Sequence, residues 1–159
     1  MKEITGGICA AKGFKANGIH CGIRKNKTKR DLSLITSDVK AAAASVYTTN
    51  LVKGAPLTVT KNHIADGYAQ AIICNSGNAN TCNANGIEIA EQMSELVEKS
   101  TGISKNDVVV ASTGVIGQVL DITPIANGMD ELVAGLGDHS DFAAEGIMTT
   151  DTVKKEIAI

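Results

Sequence analysis

Between Ile87 and Ser100 the apolar residues Ile89, Met93, Leu96 and Val97 recur at i, i+4, i+7 and i+8. That spacing lines them along one side of an α-helix. Glu88, Glu91, Glu95 and Glu98 fall off the stripe, and Glu95 stands four residues before Lys99, the better orientation for a helical ion pair. Thr101-Gly102 supplies a glycine C-cap. Pro56 opens a second helix running to about Asp66, and Thr123-Pro124 reads as N-cap and first-turn proline of a third, through about Leu136. Asp141 is placed to cap a short segment ending near Met148. Two-residue alternation and β-branched composition mark strands at Leu32–Thr36 and Ser45–Thr49. Short apolar runs at Ala69–Cys74 and Val108–Ala111 fit buried strands. Residues 8–23 are broken by Gly13, Gly18 and Gly22, and the basic cluster from Arg24 to Arg30 fits a solvated hairpin or loop. The pattern predicts an α/β protein, with helices packed on a sheet of mixed strand direction.

The length of 159 residues suits one domain, 1–159, at roughly 100–200 residues per domain. A hydrophobic share of 43% against 20% charged excludes a disordered chain. Fifteen basic and 17 acidic residues leave a net charge of -2. With only Phe14, Tyr47, Tyr68 and Phe142 as aromatic rings, nucleic acid has neither a basic footprint nor a stacking platform to bind. No apolar run approaches the ~18 residues a membrane span needs. Cys9, Cys21, Cys74 and Cys82 form no C-x-x-C, and His20, His63 and His139 lie at no metal-ligand spacing. No metal is therefore expected. The opening Met1-Lys2-Glu3-Ile4 lacks the pattern of a secretory leader, so the cysteines are expected as buried, reduced thiols of a cytoplasmic protein. Val153–Ile159 alternates loosely and stops in mid-pattern, an apolar strand end that reads either as cut or as completed by another polypeptide.

Three segments can carry chemistry. Asn75-Ser76-Gly77-Asn78-Ala79-Asn80 follows an apolar strand and reads as a turn, whose small residues can present N–H groups to an anion. It is not a P-loop. Ala111-Ser112-Thr113-Gly114-Val115-Ile116-Gly117 reads as a second small-residue turn, where the Thr113 hydroxyl and a Gly114 N–H can converge on one oxygen, as a tetrahedral acyl-transfer intermediate requires. Met148-Thr149-Thr150-Asp151-Thr152 combines three hydroxyls with a carboxylate, suited to a polar substrate or to a helix cap. No Ser-His-Asp arrangement and no G-x-S-x-G elbow occurs. Part of an active site is present without an obvious nucleophile.

These segments occur in a specific order, together with Gly6-Gly7, Lys12-Gly13-Phe14-Lys15-Ala16 and Thr48-Thr49-Asn50. The whole chain closely resembles the amino-terminal part of the glutamate N-acetyltransferase (ornithine acetyltransferase) family of arginine biosynthesis. The resemblance implies a precursor that cuts itself before a threonine into an α and a β chain. The new amino-terminal threonine of the β chain is then the nucleophile, carrying acetyl from N-acetylornithine to glutamate. The family's cleavage segment, of the form K-G-S-G-M-x-x-P-N-M-A-T, does not occur in these residues. Carried over residue by residue, the resemblance puts the oxyanion-stabilising pair on Thr113 and Gly114 and a substrate contact on Thr150, with Thr149 and Thr152 as register alternatives. It further implies a layered αββα sandwich like that of amino-terminal nucleophile hydrolases with different connectivity, completed by the β chain, an α2β2 heterotetramer, and no cofactor. Whether acetyl-CoA is a second acetyl donor is open at this stage. A related self-processing amidohydrolase or aminopeptidase, and a non-catalytic domain holding a small anion, are the alternative readings of the same residues.

Overall fold

The computed structural model describes residues 1–159. Its sheet has four strands in spatial order β1 (Phe14–Ile19), β2 (Leu32–Ala42), β3 (Tyr68–Asn78) and β4 (Val108–Val115). The first three form an antiparallel meander, whereas β4 runs parallel to β3. A parallel return needs a crossover, and α2 (Gly86–Thr101) provides it. The other helices are α1 (Ala55–His63), α3 (Thr123–Ala134) and α4 (Ser140–Gly146). The class is mixed α/β, as the patterning predicts. These residues supply one sheet and its helices.

The pleat divides the strands into two faces. Leu32, Leu34, Ala71, Ile73, Val108 and Val110 point to one face and are buried. They meet Val59 of α1, Ile89, Met93 and Val97 of α2, and Ile125, Met129 and Leu132 of α3 in a single core. The α2 stripe therefore packs as its periodicity requires, with Leu96 partly buried at the margin. Gly102 ends α2 in the left-handed conformation at φ 78°. The other face carries Phe14, Ile35, Ile72, Cys74 and Val109, and α4 covers only part of it. The Ser33 hydroxyl donates to the Ala143 carbonyl at 2.8 Å, and Gly18 lies where any Cβ would strike the Phe142 carbonyl. Beyond that contact Ile72 remains 39% exposed, beside an apolar concavity of about 400 Å³.

Both edges of the sheet are dressed. On β1, Ala16 exchanges backbone hydrogen bonds with Gly137. On β4, the Thr60 hydroxyl accepts from the Val110 N–H at 3.0 Å and donates to the Val110 carbonyl at 2.9 Å, while His63 Nδ1 meets the Val108 carbonyl at 3.0 Å. Two α1 side chains thus take the place of a fifth strand and block edge-to-edge pairing.

Several local expectations change. Ser45–Thr49 is not a strand: the β2–β3 ladder ends at Ala42–Tyr68 and no neighbour offers these residues a partner. Glu95 pairs with Lys105 at 2.8 Å rather than with Lys99, because the turn at Lys105–Asp107 folds Lys105 back over α2. Thr123 is the first residue of α3 and caps nothing; its N–H donates to the Asp121 carboxylate at 2.9 Å instead. Asp141 lies inside α4, whose N-cap is His139. All four cysteines are free, but Cys82 is exposed and the others are half-buried. The carboxyl-terminal residues form one isolated bridge, Ile4 with Ala158.

Candidate functional site

Both small-residue segments read as turns are in fact strand. Asn75–Asn78 is the end of β3 and Ser112–Val115 the end of β4, paired Asn75–Ser112, Ser76–Thr113, Gly77–Gly114 and Asn78–Val115. Ladder hydrogen bonds override the turn preference of asparagine and glycine here. The glycines permit the pairing. Gly77 has φ 103° and Gly114 φ 132°, a region L side chains rarely adopt. A Cβ on Gly114 would lie 2.4 Å from the Gly77 carbonyl carbon and 2.6 Å from the Asn78 nitrogen. Two glycines side by side therefore let two backbones approach where no other residue fits.

Asparagine side chains then brace the segment from within. Asn75 Nδ2 donates to the Asn78 carbonyl at 3.0 Å, Asn78 Nδ2 to the Gln118 carbonyl at 3.0 Å, and Asn80 Nδ2 to the Gly86 carbonyl at 2.8 Å. The Asn78 carboxamide oxygen accepts the Asn80 N–H at 2.8 Å. Asn80 itself has φ 47°, a left-handed conformation that asparagine tolerates. The asparagine amides are spent on these backbone groups, while the Asn75 carboxamide oxygen is buried without a partner.

Thr113 and Gly114 are adjacent on β4, so their backbone groups point in opposite directions. Val110 turns both its N–H and its carbonyl outward, to Thr60. Gly114, exposed and at φ 132°, lies beyond Val110, the last strand residue that the α1 side chains bond, at the open end of the edge. The half-buried Thr113 side chain shares the less covered face of the sheet with its partner Ser76.

The segment that carries Thr150 follows α4, whose end is tied to Ser76. The Ser76 hydroxyl donates to the Gly146 carbonyl at 2.6 Å, anchoring the end of α4 to the strand residue that stands opposite Thr113. Thr149, Thr150 and Thr152 follow without regular structure. Within that segment the Lys155 ammonium, with the Thr149 N–H second, holds the Asp151 carboxyl below its ordinary range. Beside Gly77, a cleft of about 230 Å³ is lined by Gly22, Ile23, Asn78, Gln118 and Asp121. The larger apolar concavity on the sheet face lies elsewhere and is lined by no titratable group.

Two residues with structural consequences here carry no motif. Asp31 is fully buried, and Arg24 reaches across the fold to the Met148 carbonyl. Both lie in or beside the basic cluster expected to be solvated; Asp31 is revealed by the loop N–H groups folded around it and Arg24 by a partner distant in sequence.

The molecule is an α/β protein whose one parallel strand pair ends in a glycine-opened, outward-facing edge. A model of the ArgJ family matches residues 15–159, and the chain belongs to that family. It is 45% identical to arginine biosynthesis bifunctional protein ArgJ 1 of Nostoc sp., over 99% of this chain and 39% of that protein. It is 47% identical to the corresponding bifunctional protein of Gloeobacter violaceus, over 98% and 39%. The chain therefore spans about two fifths of the length of these curated relatives. Among solved structures it is similar to the arginine biosynthesis bifunctional protein of Bacillus halodurans, with a TM-score of 0.88 at 39% identity, covering 96% of this chain and 81% of that one. It is also similar to ornithine acetyltransferase of Mycobacterium tuberculosis complexed with ornithine, with a TM-score of 0.89 at 33% identity, covering 96% and 84%.

Proposed function

We propose that this chain is the α portion of a self-cleaving glutamate N-acetyltransferase that moves acetyl from N-acetylornithine to glutamate in the cytoplasm, with residues 1–159 forming one domain of it. The observation that carries the reading is the close Gly77–Gly114 pairing, which sets Gly114 beside Thr113 at the open end of β4. In the first half-reaction, the hydroxyl of a β-chain amino-terminal threonine attacks the acetyl carbonyl and gives its proton to its own α-amine. Thr113 and Gly114 donate hydrogen bonds to the resulting oxyanion. Collapse of the intermediate breaks the amide bond, and the departing ornithine nitrogen takes that proton. The amine of glutamate then attacks the threonine ester, the same donors hold the second oxyanion, and the hydroxyl is restored. Thr150 contacts the substrate.

Several observations support this reading. The relatives carry the name of arginine biosynthesis, and the Mycobacterium tuberculosis neighbour is described with ornithine. Their designation as bifunctional favours acetyl-CoA as a second acetyl donor. This chain covers four fifths of the Bacillus halodurans crystal chain but two fifths of the curated relatives, as expected for a family whose precursor is cut. The open apolar face around Ile72 is a surface for the β chain in an α2β2 assembly.

The test uses the complete precursor. Mass spectrometry should find a second polypeptide beginning with threonine, and the purified protein should form N-acetylglutamate from N-acetylornithine and glutamate. Thr113→Ala should lower kcat by about 10²–10³-fold, the usual cost of one oxyanion donor, while the assembly stays intact. Peptide hydrolysis without acetyl transfer would overturn the assignment, and so would near-normal turnover in that variant.

A further inference from the structure

The loop between β1 and β2 is held from inside by a single carboxylate. Asp31 accepts hydrogen bonds from the backbone N–H of Cys21 at 2.7 Å, Arg24 at 2.9 Å and Gly22 at 3.3 Å, with His20 Nδ1 3.2 Å away. Its own backbone completes the tie: the Asp31 N–H donates to the Ile19 carbonyl at 2.8 Å, and its carbonyl accepts from the Ser76 N–H at 2.9 Å. Charge-assisted bonds to several N–H groups fix a loop far more firmly than solvated contacts do. The loop consequently lies directly on the glycine floor, where a Cβ at Gly77 would meet Arg24 Cγ at 2.9 Å and Ile23 Cγ2 at 3.1 Å.

From there the Arg24 guanidinium donates to the carbonyl of Met148, two residues before Thr150. Residues 148–152 have few other ties. The Met148 N–H donates to the Glu145 carbonyl at 3.0 Å, Thr149 bonds within the segment, and Lys155 pairs with Asp151. Arg24 thus joins this segment to the Gly77–Gly114 floor, downstream of the Ser76–Gly146 bond that ties the end of α4 to the same strand.

We infer that Arg24 is a positioning residue, aimed by Asp31, that holds the Thr149–Thr152 segment in place over the acyl-transfer site. The inference rests on the function proposed above. Arg24 acts through the segment and not on the reacting atoms, so its loss degrades substrate binding more than the chemical step. Lysine can reach the same carbonyl with one ammonium donor, whereas alanine cannot.

The experiment compares wild type, Arg24→Ala, Arg24→Lys, Thr150→Ala and the Arg24→Ala/Thr150→Ala double variant in the complete, processed enzyme. Arg24→Ala should raise KM for N-acetylornithine and glutamate by roughly tenfold with a smaller fall in kcat, and Arg24→Lys should recover most of the loss. In the Thr150→Ala background the same substitution should add less than about threefold, because residues acting through one element are not additive. Amide hydrogen exchange should speed up at residues 149–152 in Arg24→Ala and not in the core strands. An unchanged KM, fully additive effects, or unaltered exchange in that segment would overturn the inference. The wild-type assay separates the two claims: absence of acetyl transfer sinks the proposed function, whereas transfer that is indifferent to Arg24 sinks this inference alone.

Discussion

The two halves of the β3–β4 pair are built from opposite materials. In the first half, Ala71, Ile73, Val108 and Val110 are apolar and buried, and Thr60 and His63 close the outer edge. In the second, Asn75–Asn78 faces Ser112–Val115, two glycines carry positive φ, and Val115 is 49% exposed at the end of the edge. One continuous ladder runs through both. The first half has its outer backbone groups bonded by α1 side chains, and the second has no such cover. Under the function proposed above, the packed half holds the Thr113–Gly114 end in place before charge develops.

Substitutions can break this contrast at graded cost. Gly114→Ala should be the most severe, because it places a Cβ 2.4 Å from backbone at a φ of 132°. Thermal melting should show a loss of about 3 kcal/mol or more, or no cooperative transition at all. Ile73→Ala should cost about 2–5 kcal/mol by leaving a cavity, and Ile72→Ala on the opposite, half-open face clearly less; equal losses would mean that both faces are equally packed. Thr60→Val leaves the Val110 N–H and carbonyl unpaired, an expected cost of about 1–3 kcal/mol by denaturant titration.

A smaller effect concerns the thiols. Burial, reinforced at Cys21 by the Asp31 carboxylate, pushes the Cys21 and Cys74 thiols up to about 12 from an ordinary 9.0. Unfolded thiols release their protons near 9 while the folded ones keep theirs, so stability is complete below about pH 9 and declines as pH rises toward 12. Denaturation midpoints across that range check the sign.

The helical half of the molecule was largely legible in the sequence, since the stripe of Ile89, Met93 and Val97 carries its own period and Gly102 its own stop. The strand ends were not. Asn75–Asn78 and Ser112–Val115 have turn composition, and only the partner strand makes them extended. Ser45–Thr49 is the converse: strand composition with nothing to pair against. The order of motifs singled out Thr113, Gly114 and Thr150; Arg24 stayed hidden because its partner Met148 is far away in sequence, and Asp31 because the N–H groups of Cys21, Gly22 and Arg24 that surround it leave no mark in side-chain identity.

The position of β3 in the middle of both pairings has a consequence for how the chain folds. The connection from β2 (residues 43–67, which include α1) and the connection to β4 (residues 79–107, which include α2) are of similar length, whereas β1 and β2 are joined by residues 20–31 alone. Closure entropy rises with the span enclosed, so the β1–β2 hairpin forms first and the two pairings of β3 follow together. A nascent chain therefore carries a two-stranded ribbon before β3 joins either neighbour.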